Sequence, residues 1–124
     1  MLRNFLLIGL GGALGSMLRY GSGLLVGTKA FPLAILLINI TGSFIIGLVM
    51  AYSTRNEIFA GNWKLFLATG LCGGFTTFSA FSLDNLLLLE NGKFWMFALN
   101  IVSSIVLGLA AVWIGFKLVS VISD

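Results

Sequence analysis

Histidine is absent from this chain of 124 residues, cysteine and proline each occur once, and charged side chains make up only 9% of it. Without histidine, and with Cys72 as the lone thiol, Cys/His metal centres and Cys/His nucleophilic catalysis have no material to build from. An internal disulfide is excluded on the same count. Inside an apolar stretch, Cys72 reads as a small packing residue. The scarcity of charge is equally restrictive, because 59% of the residues are hydrophobic and the mean hydropathy is +1.10. A soluble domain of this size has too little interior to hide so much apolar surface, so the composition specifies a membrane protein.

Three intervals carry no charged residue at all: Ala30 to Thr54, Leu65 to Leu83 and Phe94 to Phe116. Each is close to the ~20 residues with which a helix spans ~30 Å of hydrocarbon. A first segment from about residue 4 to 26 has the length of a fourth span, interrupted only by Arg19. Arg3 followed by an apolar run raises the question of a signal peptide. The run passes Arg19 without a small-residue cleavage site, and the segment is expected to be retained. The expected architecture is therefore an all-α membrane protein of one domain over residues 1–124, with spans near 4–26, 33–53, 63–89 and 94–119. The links between them are short and leave no room for a soluble domain. Pro32 suits a helix start, and Trp63, Trp95 and Trp113 near predicted ends suit interfacial anchoring.

With four spans both termini face one side, which collects Arg3, Arg55, Lys64 and Lys117, against Lys29 and Lys93, with or without Arg19, on the other. So weak a bias gives the positive-inside preference little to act on, and both orientations become accessible. That opens the way to an antiparallel homodimer, the two-chain equivalent of an inverted repeat. Gly11 and Gly15, Gly23 and Gly27, and Gly70 and Gly74 recur at the four-residue spacing that lets helix backbones approach. The net charge of +3 points to loop contacts with anionic lipid rather than to nucleic acid.

The polar residues within the spans carry the functional signal. Gly73-Gly74-Phe75-Thr76-Thr77-Phe78-Ser79-Ala80-Phe81-Ser82 is a glycine-broken, hydroxyl-rich run inside the third span, with the break expected near residues 73–80. Hydrocarbon cannot hydrate freed backbone groups, so such a break survives where protein or a wet cavity supplies partners. Asn39, with Thr41 and Ser43, interrupts the second span and suits either a bond to a neighbouring helix or a donor along a path. Asn100, Ser104 and Gly108 share one face of the fourth span, with Ser103 beside it; such serines bond to their own helix or line a path. Arg19 either snorkels to a headgroup or attracts anions to a pore mouth. Phe78 and Phe81 suit core or lipid contact. Flanked by Thr76, Thr77, Ser79 and Ser82, their electropositive ring edges equally suit a dehydrated anion.

The ten-residue run at 73–82, Gly11-Gly12-Ala13-Leu14-Gly15 with Arg19-Tyr20, and Asn39 with Gly42-Ser43-Phe44 together resemble the Fluc (CrcB) family of fluoride channels. The resemblance covers essentially the whole chain. It implies a dual-topology antiparallel homodimer in the inner (plasma) membrane, with two fluoride pathways and a structural sodium ion at the dimer interface. It places Phe78 and Phe81 in an aromatic box, Asn39 as a pore-lining donor, and Thr77 and Ser79 among the flanking hydroxyls. Ser104 matches a hydroxyl track, Arg19 the first-helix arginine, and Gly73 and Thr76 the carbonyl donors to sodium. Four positions depart from the pattern. Ala80 stands where many members carry threonine, Asn100 where some carry tyrosine, Gly108 where some carry serine, and Asp84 where glutamate is frequent.

The function implied is passive fluoride export, not enzymatic catalysis. No glycine-lysine nucleotide motif accompanies it. The main rival is a small dual-topology multidrug or cation exporter coupled to protons, which requires a carboxylate deep in the membrane. Glu57 and Glu90 fall in loops, Asp124 is terminal, and Asp84 lies near a predicted span end. A non-transporting membrane subunit would account for the glycines but not for Asn39, the phenylalanines and the hydroxyls together.

Overall fold

The computed structural model describes residues 1–122, so Asp124 lies outside the described residues. Among these the regular structure is entirely helical: α1 (Leu2–Val26), α2 (Leu33–Ser53), the short turns α3 (Glu57–Ala60) and α4 (Asn62–Lys64), a π-helical segment (Leu65–Cys72), α5 (Gly73–Phe75), α6 (Phe78–Glu90) and α7 (Phe94–Ile122). From Asn62 to Glu90 the pieces follow one another as a single interrupted rod, which with α2 and α7 makes three helices long and apolar enough to cross a membrane. The first segment is a helix of 25 residues, but it is not one of these three. Its glycines, together with Arg3 and Arg19, make it less apolar than α2 or α7.

The ends of the helices follow from local chemistry. α1 stops at Gly27, whose φ of 70° is open to glycine at little cost and whose N–H returns to the Gly23 carbonyl at 3.0 Å. α6 stops at Gly92, φ 69°, where Lys93 N–H reaches the Leu88 carbonyl at 2.8 Å and Gly92 N–H the Leu89 carbonyl at 3.0 Å. This paired return satisfies two terminal carbonyls and turns the chain directly into α7.

Two backbone-close crossings assemble the bundle. In the first, Gly11 and Gly15 of α1 meet the π segment and α5. A Cβ on Gly11 would strike the Phe66 carbonyl oxygen and stand 2.9 Å from Leu71 N, and one on Gly15 would strike the Leu71 carbonyl oxygen and stand 2.7 Å from Phe75 N. Gly70 and Gly74 face back, a Cβ on Gly70 falling 3.0 Å from the Gly11 Cα. Two of the three four-residue glycine pairs thus act as expected. The third does not, since a Cβ on Gly23 or Gly27 meets nothing within 4 Å among the described residues. The second crossing joins α2 to α7 through two glycines without such a pair: a Cβ on Gly47 would strike the Val112 carbonyl oxygen, and one on Gly115 the Phe44 carbonyl oxygen. In hydrocarbon, where apolar surface gains nothing by leaving lipid, this close van der Waals contact is what draws helices together.

Little of the single chain is interior. Leu36, Ile38, Val49, Ala51, Ala68, Cys72, Phe75, Leu88 and Ala111 are the buried apolar residues, while the outer faces of α1, α6 and α7 are exposed and apolar. Trp63, Trp95 and Trp113 are exposed, the first packed edge-on to Phe66 with centroids 6.4 Å apart.

Candidate functional site

The interruption of the third rod falls at Thr76 and Thr77, whose backbones are extended (φ −76°, ψ 159° and φ −153°, ψ 118°). It is narrower than the interval 73–80 expected from sequence and lies within it. A π segment ending four residues earlier is in keeping with the frequent placement of such windings at functional sites.

Several groups at the break have identifiable partners. Thr77 N–H donates to Asn39 Oδ1 at 2.8 Å, and Asn39 Nδ2 donates to the Thr77 carbonyl at 3.1 Å. One side-chain amide of α2 thereby pairs with both backbone groups of Thr77. Thr77 Oγ1, as the N-cap of α6, accepts Ala80 N–H at 3.2 Å and shares a hydrogen bond with Ser79 Oγ at 3.3 Å. Thr76 returns its hydroxyl to the Cys72 carbonyl at 2.8 Å. Two consequences follow from these partnerships. The Gly73 carbonyl loses its helical donor, Thr77 N–H, to Asn39, and the Thr76 carbonyl loses its helical donor, Ala80 N–H, to Thr77 Oγ1. Asn39 uses one of its two amide hydrogens and keeps the other.

A recess of about 350 Å³ lies beside the break, lined by Asn39, Gly42, Ser43, Thr76, Thr77 and Phe78 among others. Thr77 is buried and Phe78 is 79% exposed, so the recess has a polar floor and an open aromatic rim. A Cβ on Gly42 would strike Thr76 Cγ2, so only glycine leaves α2 this close to the break. Phe81 lies one turn beyond Phe78 with ring centroids 5.7 Å apart and planes tilted by 39°. Ser79 is exposed and tied to Thr77, while Ser82 Oγ returns to the Phe78 carbonyl at 3.0 Å.

The structure therefore brings together Asn39, Thr76, Thr77, Phe78 and Ser79, with Phe81 adjacent and Gly73 on the wall. It does not bring the remaining expected residues to this recess. Arg19 borders a second one of about 420 Å³ together with Tyr20, Ile35, Ile38 and Ala80. Ser104 is half-buried on α7 and lines neither, and Ser103 bonds to its own helix at Leu99 O, 2.6 Å. Asn100 follows the structural of the two readings of its face: it is 1% exposed and donates from Nδ2 to Asn85 Oδ1 at 3.1 Å. The sequence signal for Asn85 is that it and Asn100 stand at nearly equal distances either side of the Gly92 turn, as residues facing one another in a helical hairpin must.

An all-helical membrane protein with an interrupted span, the break held by an asparagine from a neighbouring helix, is the class these observations define. Within that class the chain belongs to the CrcB-like family, whose model, described as CrcB-like protein, Camphor Resistance (CrcB), matches residues 6–116. It is 47% identical over 120 residues to a protein of Campylobacter jejuni strain RM1221, covering 94% of this chain and 97% of that one. It is 43% identical over 120 residues to one from Thermus thermophilus (94% and 95% covered) and 41% identical over 118 residues to one from Oceanobacillus iheyensis (94% and 92% covered). All three relatives bear the name fluoride-specific ion channel FluC.

Proposed function

We propose that this chain is a fluoride-selective channel that lets fluoride leave the cytoplasm passively, and that it is not an enzyme. The observation that carries this reading is the Asn39–Thr77 pairing beneath the exposed rim of Phe78 in a near-full-length relative of fluoride-specific channels. Fluoride holds water tightly, so a narrow path must offer replacement donors while binding weakly enough at several places to release the ion. The second amide hydrogen of Asn39 is one donor, the Thr77 and Ser79 hydroxyls are others, and the electropositive edges of Phe78 and Phe81 complete the shell. A larger halide gains less from the same groups and fits them less well. Ser104 extends the path along α7, and Arg19 raises anion concentration at a mouth without holding the ion.

The working unit of this proposal is an antiparallel homodimer with α1 as the fourth span, placed in the inner membrane. In the single chain the rim of the recess at Phe78 is open, and the apolar faces of α6 and α7 stay uncovered. The weak charge bias supports insertion both ways up. The carbonyls of Gly73 and Thr76 fit a structural sodium ion between the two copies, because both have lost their helical donors and carbonyl oxygen suits a hard cation. Its contribution would be to fasten the two breaks together.

A proton-coupled exporter has less support. Asp84 borders a small recess shared with Lys29 and Lys93 near the ends of the helices rather than a site at mid-depth. The deciding experiment reconstitutes the purified protein in liposomes loaded with fluoride or chloride. Voltage-driven loss of fluoride with chloride retained is expected. Equal leakage of both halides, or movement only under a proton gradient, overturns the proposal.

A further inference from the structure

We infer that Asn85 and Asn100 form a positioning relay for Phe81, a role that rests on the channel reading above and adds two residues to its site. Three groups lie in series: Asn100 Nδ2 donates to Asn85 Oδ1 at 3.1 Å, and Asn85 Nδ2 donates to the Phe81 carbonyl at 2.8 Å. The direction of donation is forced. A carbonyl can only accept, so Asn85 must present its nitrogen to Phe81 and its oxygen to α7, and Asn100 must then supply the N–H.

Both side chains are buried, Asn85 at 6% exposure and Asn100 at 1%, and Asn100 Oδ1 has no hydrogen-bond partner among the described residues. An apolar pair of similar volume would fill the same space between α6 and α7 without leaving a carbonyl oxygen unpaired. The arrangement is therefore poorly explained by stability alone. Its geometry explains it better. α6 begins at the break, so no continuous helix fixes its rotation about its own axis. It is held by hydrogen bonds from neighbouring helices at two places, Thr77 by Asn39 and Asn85 by Asn100, and the two phenylalanines lie between them. With the first tie alone the half-helix could pivot. The second tie sets which way the ring edges of Phe81 and Phe78 point.

The test compares the parent with Asn85→Leu/Asn100→Leu in liposomes, reading fluoride efflux, chloride leakage and the melting temperature in detergent. The double variant removes both amides and the unpaired oxygen together, so a purely structural role predicts parental efflux with an unchanged or raised melting temperature. Positioning predicts a folded protein that loses most of its fluoride efflux, with relatively greater chloride leakage. Parental efflux and selectivity in the folded double variant overturn the inference. A second measurement holds if that variant fails to assemble or if the parent itself does not conduct: the fluorine resonance of 4-fluorophenylalanine at position 81, compared between parent and Asn100→Ser. A shifted or broadened line supports the relay, and an unmoved line overturns it. Failure of the parent to pass fluoride counts against the channel reading, and the resonance then decides the relay separately.

Discussion

Asn39 and Thr77 are bonded twice, amide oxygen to backbone N–H at 2.8 Å and amide nitrogen to backbone carbonyl at 3.1 Å, across 38 residues of sequence. One side chain thus reaches both backbone groups of the break, so the pairing is at once a structural tie and part of the recess floor. Asn39→Leu is expected to leave two buried backbone groups of Thr77 unpaired, lowering stability by about 2 kcal/mol and abolishing fluoride efflux. Asn39→Asp keeps an acceptor for Thr77 N–H but turns its second oxygen toward the Thr77 carbonyl, where it must take up a proton or stand as an unpaired charge at membrane depth, and it should lose at least as much stability as Asn39→Leu and likewise fail to conduct. Melting in detergent and liposome efflux, measured on both variants, check the order.

Phe78 presents the opposite case. With 79% of its surface exposed it contributes little to the packing of a single chain. Phe78→Ile should therefore change stability by no more than about 0.5 kcal/mol, as at other exposed positions, while removing a ring edge from the proposed path. Loss of fluoride efflux from a protein of parental stability is the expected result. Unchanged efflux would separate the ring from conduction.

The glycines divide by what a methyl group would meet. Gly15→Ala drives a Cβ into the Leu71 carbonyl and to 2.7 Å from Phe75 N, backbone atoms that cannot step aside. It should destabilise by about 1–3 kcal/mol, or prevent assembly. Gly23→Ala meets nothing within 4 Å and lies inside α1, where alanine is favoured over glycine by about 0.5–1 kcal/mol. Thermal melts of the two variants should move in opposite directions.

That contrast marks what the sequence could and could not convey. The apolar intervals free of charge became the three long helices, and the glycine-threonine run located the break, because both are local properties of composition and spacing. The same spacing misled at Gly23 and Gly27. Gly27 serves to end α1 with a positive φ, and a helix end looks like a packing motif when only intervals are counted. Gly47 and Gly115 show the converse, since each meets a partner on another helix and has no glycine four residues away. Asn39 could be recognised as needing a partner, although two readings of that partner stood open. The structure supplies it as Thr77 and still leaves one amide hydrogen for the recess, so the readings are compatible. For Asn100 helical periodicity gives a face and not what covers it. Burial against Asn85 depends on how tightly the Gly92 turn folds α6 back on α7.

Dual insertion can be read by labelling. A single cysteine at Asn91, in the exposed turn between α6 and α7, should react with a membrane-impermeant maleimide from both sides of intact membrane vesicles, to about equal extents. Cys72 is buried and gives little background. Labelling confined to one face would remove the antiparallel dimer from the proposal.

Gly42 and Thr76 provide a contact that can be broken and repaired. A Cβ on Gly42 would collide with Thr76 Cγ2 and lie 3.3 Å from Phe75 Cδ1, so Gly42→Ala should push α2 off the break and cost about 1–3 kcal/mol through overpacking. The obstacle is one methyl group. Thr76→Ser removes it while keeping the hydroxyl that bonds to the Cys72 carbonyl at 2.8 Å, so this change alone should be mild. Combined with Gly42→Ala it should recover most of the lost stability, giving a coupling energy of about 1 kcal/mol or more in a double-mutant cycle. Efflux is expected to recover with stability, because the repair returns Asn39, three residues earlier on α2, to its place beside Thr77. Additive losses in the cycle would mean that α2 does not approach the break through this contact.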